Sequence, residues 1–133
     1  MLPTPEDRVA IGDLLARYCL ALDVDDIDSW VALFAPDATY EVFGRSFAGH
    51  EGLRSMMGGA PGGLHLGGPP VIEMVDADHA NTQRNLLFID AKSGTTRSAV
   101  YTDALERTRE GWRISRCRCQ FIVGDGLSDR PER

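Results

Sequence analysis

Between Pro5 and Leu22 apolar side chains recur every three or four residues: Val9, Ile11, Leu14, Leu15, Tyr18, Cys19 and Leu22. Asp7, Arg8, Asp13 and Arg17 fill positions between them, so the period predicts an amphipathic helix over 5–22. Thr4-Pro5-Glu6-Asp7 supplies its start: a capping hydroxyl, a proline in the first turn and acids at the positive end of the helix dipole. Asp25 or Asp26 caps a second, short helix carrying Ile27, Trp30, Val31, Leu33 and Phe34. After Pro36-Asp37 the period falls to two, and Ala38 to Phe43 reads as a strand with Ser46-Phe47-Ala48 as its short return. Residues 49–57 predict a third helix that ends in glycines. Four long strands follow at about 64–76, 79–92, 95–109 and 111–123, with turns at Asp76-Ala77-Asp78, Ser93-Gly94 and Glu110-Gly111. Asp125 to Arg133 reads as a loose end.

Helices first and a long meander afterwards predict an α+β fold. Three N-terminal helices pack on a strongly curved antiparallel or mixed sheet, and the sheet must curl into a cone around an internal pocket. A chain of 133 residues is expected to form a single domain, 1–133. Its 43% hydrophobic and 26% charged residues carry no biased tract. The longest apolar runs are far short of the roughly 20 residues of a membrane span, and the start has no basic and apolar leader, so a cytoplasmic location is expected. A net charge of −6 argues against a nucleic-acid partner, Arg113, Arg116 and Arg118 being too small a basic strip. Cys117 and Cys119 sit two apart on a strand and point the same way, so these and Cys19 are expected as free thiols. His50, His65 and His79 lack metal-ligand spacing, so no metal is expected. No phosphate-cradling glycine loop opens a helix and no serine sits in a nucleophile elbow, so no cofactor is expected either.

One stretch stands apart: Gly58-Gly-Ala-Pro-Gly-Gly-Leu-His65-Leu-Gly-Gly-Pro-Pro70 frames a single imidazole in glycine and proline. Asp23 lies four residues after Cys19 and eight after Leu15, which continues the apolar stripe of the first helix toward the core. A carboxylate there suits a general base or the partner of an imidazole, and Tyr18 shares the stripe. Each residue also has a plain reading: Asp23 as part of the solvated turn Asp23-Val-Asp25-Asp26, Tyr18 as a core aromatic, His65 as a loop histidine. The residues alone leave both open.

The run Asp7-Arg8-x-Ala-Ile-Gly-Asp-Leu-Leu-Ala-Arg-Tyr18, then Ala21-Leu-Asp23 and Trp30-x-x-Leu33-Phe34-x-x-Asp37-Ala38, resembles the opening of SnoaL-like domains of the nuclear transport factor 2-like superfamily. Ala99-Val-Tyr101-Thr-Asp103-x-x-Glu106-Arg107 and Glu110-Gly111-Trp112 agree with its ending, so the resemblance runs from residue 5 to about 123. Within it, Asp23 and His65 are similar in position to the Asp and His of bile-acid 7α-dehydratases and hexachlorocyclohexane dehydrochlorinase. Tyr18 is similar to a tyrosine of the bile-acid enzymes. The resemblance implies an Asp23–His65 dyad that removes a carbon-bound proton, with Tyr18 donating a hydrogen bond to a developing oxyanion or departing oxygen.

It implies further that Tyr40, Leu86, Phe88, Tyr101 and Cys117 line a pocket for a hydrophobic cyclic substrate, of steroid, polyketide or terpenoid type. The expected class is a cofactor-independent dehydratase, cyclase or isomerase; the alternative is a non-catalytic ligand-binding or scaffold subunit of the same fold. Cys117 stands where the relatives place an arginine, a departure that a one-residue slip or a bulge would repair. A limonene epoxide hydrolase-like Asp–Arg–Asp relay would find two members in Arg84 and Asp103 and no third. A homodimer or homotrimer is also implied.

Overall fold

The computed structural model describes residues 1–132; Arg133 lies outside the described residues, as does that part of the expected loose end. Helix α1 (Pro5–Asp23) begins as its sequence dictates, with the Thr4 hydroxyl accepting the Asp7 N–H at 3.1 Å. Its stripe is turned slightly from the one expected. Val9 is 73% exposed, whereas Asp7 is buried, because the Asp7 carboxylate accepts from the Trp112 indole at 3.4 Å and pairs with Arg107 at 3.0 Å. Those bonds pin the start of α1 to the far hairpin of the sheet. Helix α2 (Ile27–Val31) is shorter than expected, since Phe34 already opens strand β1 (Phe34–Val42). Phe43 and Gly44, at φ 56° and 70°, form the tight turn into β2 (Arg45–Ala48), and helix α3 (Gly49–Gly58) follows.

The expected strand 64–76 is two strands, β3 (Gly63–Gly67) and β4 (Val71–Asp76), separated by Gly68-Pro69-Pro70. Proline cannot donate to a ladder, so the pairing breaks there. Both pieces pair antiparallel with β5 (His79–Asp90). Strands β6 (Thr96–Thr108) and β7 (Gly111–Val123) complete the meander, and Gly126–Ser128 forms β8 on β7 where a loose end was expected. The sheet order is β2-β1-β7-β6-β5-β3, with β1 parallel to β7, so the sheet is mixed. Alternation sends Ala80, Thr82, Arg84 and Leu86 of β5 inward, toward α1. No helix among the described residues is long and apolar enough to cross a membrane.

Candidate active site

Asp23 is the last residue of α1 and His65 the middle residue of β3. The carboxylate Oδ1 of Asp23 accepts both the backbone N–H of His65, at 2.7 Å, and its ring Nδ1, at 2.9 Å. The backbone bond fixes the strand beside the helix end, and the ring bond fixes the imidazole. Phe88, the cross-strand partner of His65, packs against the ring at a 48° tilt, with 4.8 Å between centroids. A carboxylate accepts, so Nδ1 carries a proton, and in the neutral ring Nε2 keeps the lone pair.

The glycine frame has a steric reason. Gly63, His65 and Gly67 occupy one face of β3. A Cβ on Gly63 would lie 2.1 Å from the Ile89 carbonyl oxygen, and one on Gly67 would lie 2.8 Å from Arg84 Nη1. A side chain at 63 would hold β3 away from the β5 backbone and disturb the seat of the imidazole, whereas one at 67 would displace the Arg84 guanidinium.

His65 lines a cavity of about 720 Å³ inside the cone. Tyr18, Tyr40, Leu86, Phe88 and Tyr101 line it too, while Asp23 holds the histidine from behind. Cys117 does not line it and is fully buried; Cys119, on the same face two residues on, takes that place. Bulging at Ser115 shifts the β6–β7 register between Ala104/Arg116 and Leu105/Ile114. Trp112 and Ile114 therefore face inward before it and Cys117, Cys119 and Phe121 after it. This bulge brings no arginine in: Arg116 pairs with Glu41 at 3.0 Å on the outer side, and Arg118 lies beside the same carboxylate.

The three tyrosines form a chain. Tyr18 and Tyr40 share a hydrogen bond of 2.5 Å, and the Tyr40 hydroxyl donates to Tyr101 over a longer 3.3 Å. Burial pushes all three phenols well above their usual range, so they are neutral donors. The chain was not legible as a unit, because its members come from α1, β1 and β6.

Behind it lies a polar cluster. Thr82 and Asp103 are cross-strand partners, as are Arg84 and Tyr101 in the adjacent row. The Arg84 guanidinium rests over the rings of Tyr18 and Tyr101 at 5.0 and 5.4 Å, and its Nη1 donates to the Leu15 carbonyl and Cys19 Sγ. Burial works against this cation, but Asp103, Cys19 and Tyr18 outweigh it, so its pKa is raised. Asp103 is pushed up to about 6 by burial, against the pull of Arg84 and the Cys117 thiol. Among the described residues no group of three or more His, Cys, Asp and Glu side chains is placed to hold a metal ion.

Residues 3–118 match the SnoaL-like domain family. The chain belongs to this family. No curated protein matches the sequence significantly. Among solved structures, this SnoaL-like domain is similar to an NTF2-like protein with a cystatin-like fold from Novosphingobium aromaticivorans. The two are 27% identical with a TM-score of 0.80, over 90% of this chain and 84% of that one. It is also similar to the hexachlorocyclohexane dehydrochlorinase LinA-type3 of Novosphingobium barchaimii LL02, at 22% identity and TM-score 0.76, over 90% and 92%. A Novosphingobium aromaticivorans protein assigned as the beta subunit of an aromatic-ring-hydroxylating dioxygenase gives 23% and 0.73, over 87% and 89%. The SnoaL-like domain thus has the curved α+β architecture of the NTF2-like fold, which hosts more than one function.

Proposed function

We propose that this SnoaL-like domain is a lyase- or isomerase-type enzyme, working without a cofactor, in which Asp23 and His65 remove a carbon-bound proton from a hydrophobic cyclic molecule. One observation carries the reading: the carboxylate of Asp23 engages Nδ1 at 2.9 Å and leaves Nε2 as the free lone pair of a ring that lines the cavity. Nε2 takes the proton, and Asp23 faces the imidazolium that forms. The electron pair left on carbon enters a new double bond as a leaving group departs, or returns to a proton at another carbon in isomerisation.

The tyrosine chain supplies the donor. Three hydroxyls carry three protons, and two bonds between them use two, so one proton remains for an acceptor in the cavity. With Tyr40 donating to Tyr101, Tyr18 donates to Tyr40 and the spare proton is on Tyr101. The Tyr101 hydroxyl stabilises an oxyanion or departing oxygen, and Tyr18 strengthens that donor through Tyr40. The apolar lining suits a steroid, polyketide or terpenoid ring. Family membership and the fold shared with a dehydrochlorinase support this class of chemistry.

The test is carbon-bound proton exchange in deuterated water with cyclic ketones, 3-oxo-steroids and polyketide-like enones. His65→Ala and Asp23→Asn are expected to lower exchange by about 10²- to 10⁴-fold while circular dichroism stays unchanged. Exchange retained by both variants removes the dyad from the mechanism and leaves the cavity as a ligand-binding site.

A further inference from the structure

We propose that the substrate is amphipathic: its ring system lies in the cavity and an anionic group, a carboxylate or a phosphate ester, is held at the mouth by Arg45, Arg97 and Arg130. This rests on reading the cavity as a small-molecule site. The chain has 20 acidic residues against 14 Lys and Arg, so an average patch of surface is acidic. The cavity wall inverts that balance, with three arginines and one acid, Asp90. The arginines arrive from three remote elements: Arg45 opens β2, Arg97 is the second residue of β6, and Arg130 follows β8. All three line the same cavity. A Cβ on Gly44 would lie 3.9 Å from Arg130 Nη2, which puts that guanidinium beside the Phe43–Gly44 turn and next to Arg45.

Their own carboxylate partners are few, although among the described residues Arg8 and Arg109, away from the cavity, also have no carboxylate within 4.0 Å. Elsewhere Arg17, Arg54, Arg107 and Arg116 each hold a carboxylate at 2.7–3.0 Å. Among the described residues, Arg45 and Arg130 have no carboxylate within 4.0 Å, and Arg45 only rests over the Phe47 ring at 5.0 Å. Arg97 reaches Glu132 at 3.9 Å, a carboxylate that is 83% exposed and easily displaced. Asp90 is already engaged, since its Oδ1 accepts the Lys92 and Ser93 N–H groups at 2.8 and 3.0 Å. Gathering like charges at one rim costs free energy that an anionic ligand relieves.

Deeper in, no arginine or lysine among the described residues lines the cavity to pair with a permanent anion, and the Asp23 carboxylate stands next to His65. A charged tail is therefore kept at the rim, and that fixes which end of the ring system meets Nε2. The same rim discriminates against a neutral ligand of equal shape.

The experiment is a fluorescence titration with pyrenebutyrate, its uncharged methyl ester and pyrenebutyl phosphate. Exposed ion pairs contribute about 1.4- to 5-fold each, so the wild-type protein is expected to bind the carboxylate or the phosphate on the order of tenfold more tightly than the ester. That preference should shrink at high salt. It should vanish in Arg45→Gln/Arg97→Gln/Arg130→Gln, with ester affinity unchanged. The tighter of the two anions identifies the natural group. Equal affinity for acid and ester, a preference kept by the triple variant, or no binding of any of the three overturns the proposal. His65→Ala separates it from the dyad: a retained preference with no His65-dependent exchange keeps the rim and removes the base, and equal binding with His65-dependent exchange does the reverse.

Discussion

Replacing Asp103 by Asn should make the protein more stable at neutral pH, although it removes a buried carboxylate next to a buried arginine. Asp103 is 2% exposed, and its carboxylate has the weakly donating Cys117 thiol beside it rather than an N–H or O–H partner. Burial dominates the opposing pull of Arg84 and raises its pKa from 3.8 to about 6. The folded state therefore holds this proton more tightly than the unfolded chain does. Stability contributed by the neutral acid is fully present below pH 4 and is lost as pH rises toward 6. A shift of about two units at roughly 1.4 kcal/mol each amounts to about 3 kcal/mol. Asn reproduces the neutral acid, and in both cases Arg84 lacks a facing negative charge, so the comparison isolates the ionisation of Asp103. The expected result is equal stability near pH 4 and a variant more stable by up to about 3 kcal/mol at pH 8. For 133 residues that corresponds to about 10 °C in melting temperature. Urea unfolding followed by tryptophan fluorescence from pH 4 to 8 measures it. Taking the difference between the two proteins cancels Asp26, Asp76 and Asp90, whose lowered pKa values act in the opposite direction. A difference that stays flat, or a wild type that gains on the variant as pH rises, refutes the reasoning.

The glycine frame makes a paired prediction: Gly63→Ala, with its Cβ against the Ile89 carbonyl, should cost about 1–3 kcal/mol, while Gly62→Ala, with nothing within 4 Å, should stay within about 0.5 kcal/mol in the same urea assay. Tyr18→Phe removes one hydroxyl from the buried chain; a stability loss of about 1 kcal/mol is expected, together with a fall in exchange rate of about 10²-fold and an unchanged pH profile. An unaltered rate would take Tyr18 out of the chemistry. The three thiols are buried, and burial pushes all of them up, Cys119 to about 11. They should react with a disulfide reagent together and only at the rate of unfolding; one thiol reacting quickly in the native protein contradicts that burial.

Local pattern was enough for the long elements. The Thr4 cap and the three-to-four spacing specify α1, and the alternation with its turn residues specifies β5, β6 and β7, because each signal acts within one element. Only the resemblance to SnoaL-like domains pointed to the pairing of Asp23 and His65, whose roles local pattern left open. What it could not supply is anything that depends on facing partners. Val9 has the helical period yet is exposed, because the bonds from Trp112 and Arg107 draw in Asp7 instead. Cys117 and Cys119 are equivalent by alternation, and only the curvature of β7 after the Ser115 bulge puts Cys119 at the wall. Strand pairing together with the docking of α1 assembles the tyrosine chain, the Thr82–Arg84–Asp103 cluster and the three arginines at the mouth, from residues up to 85 positions apart (Arg45 to Arg130). Periodicity records which face of an element is apolar. Register and sheet curvature decide what that face meets, and they are set by long-range contacts that no local window contains.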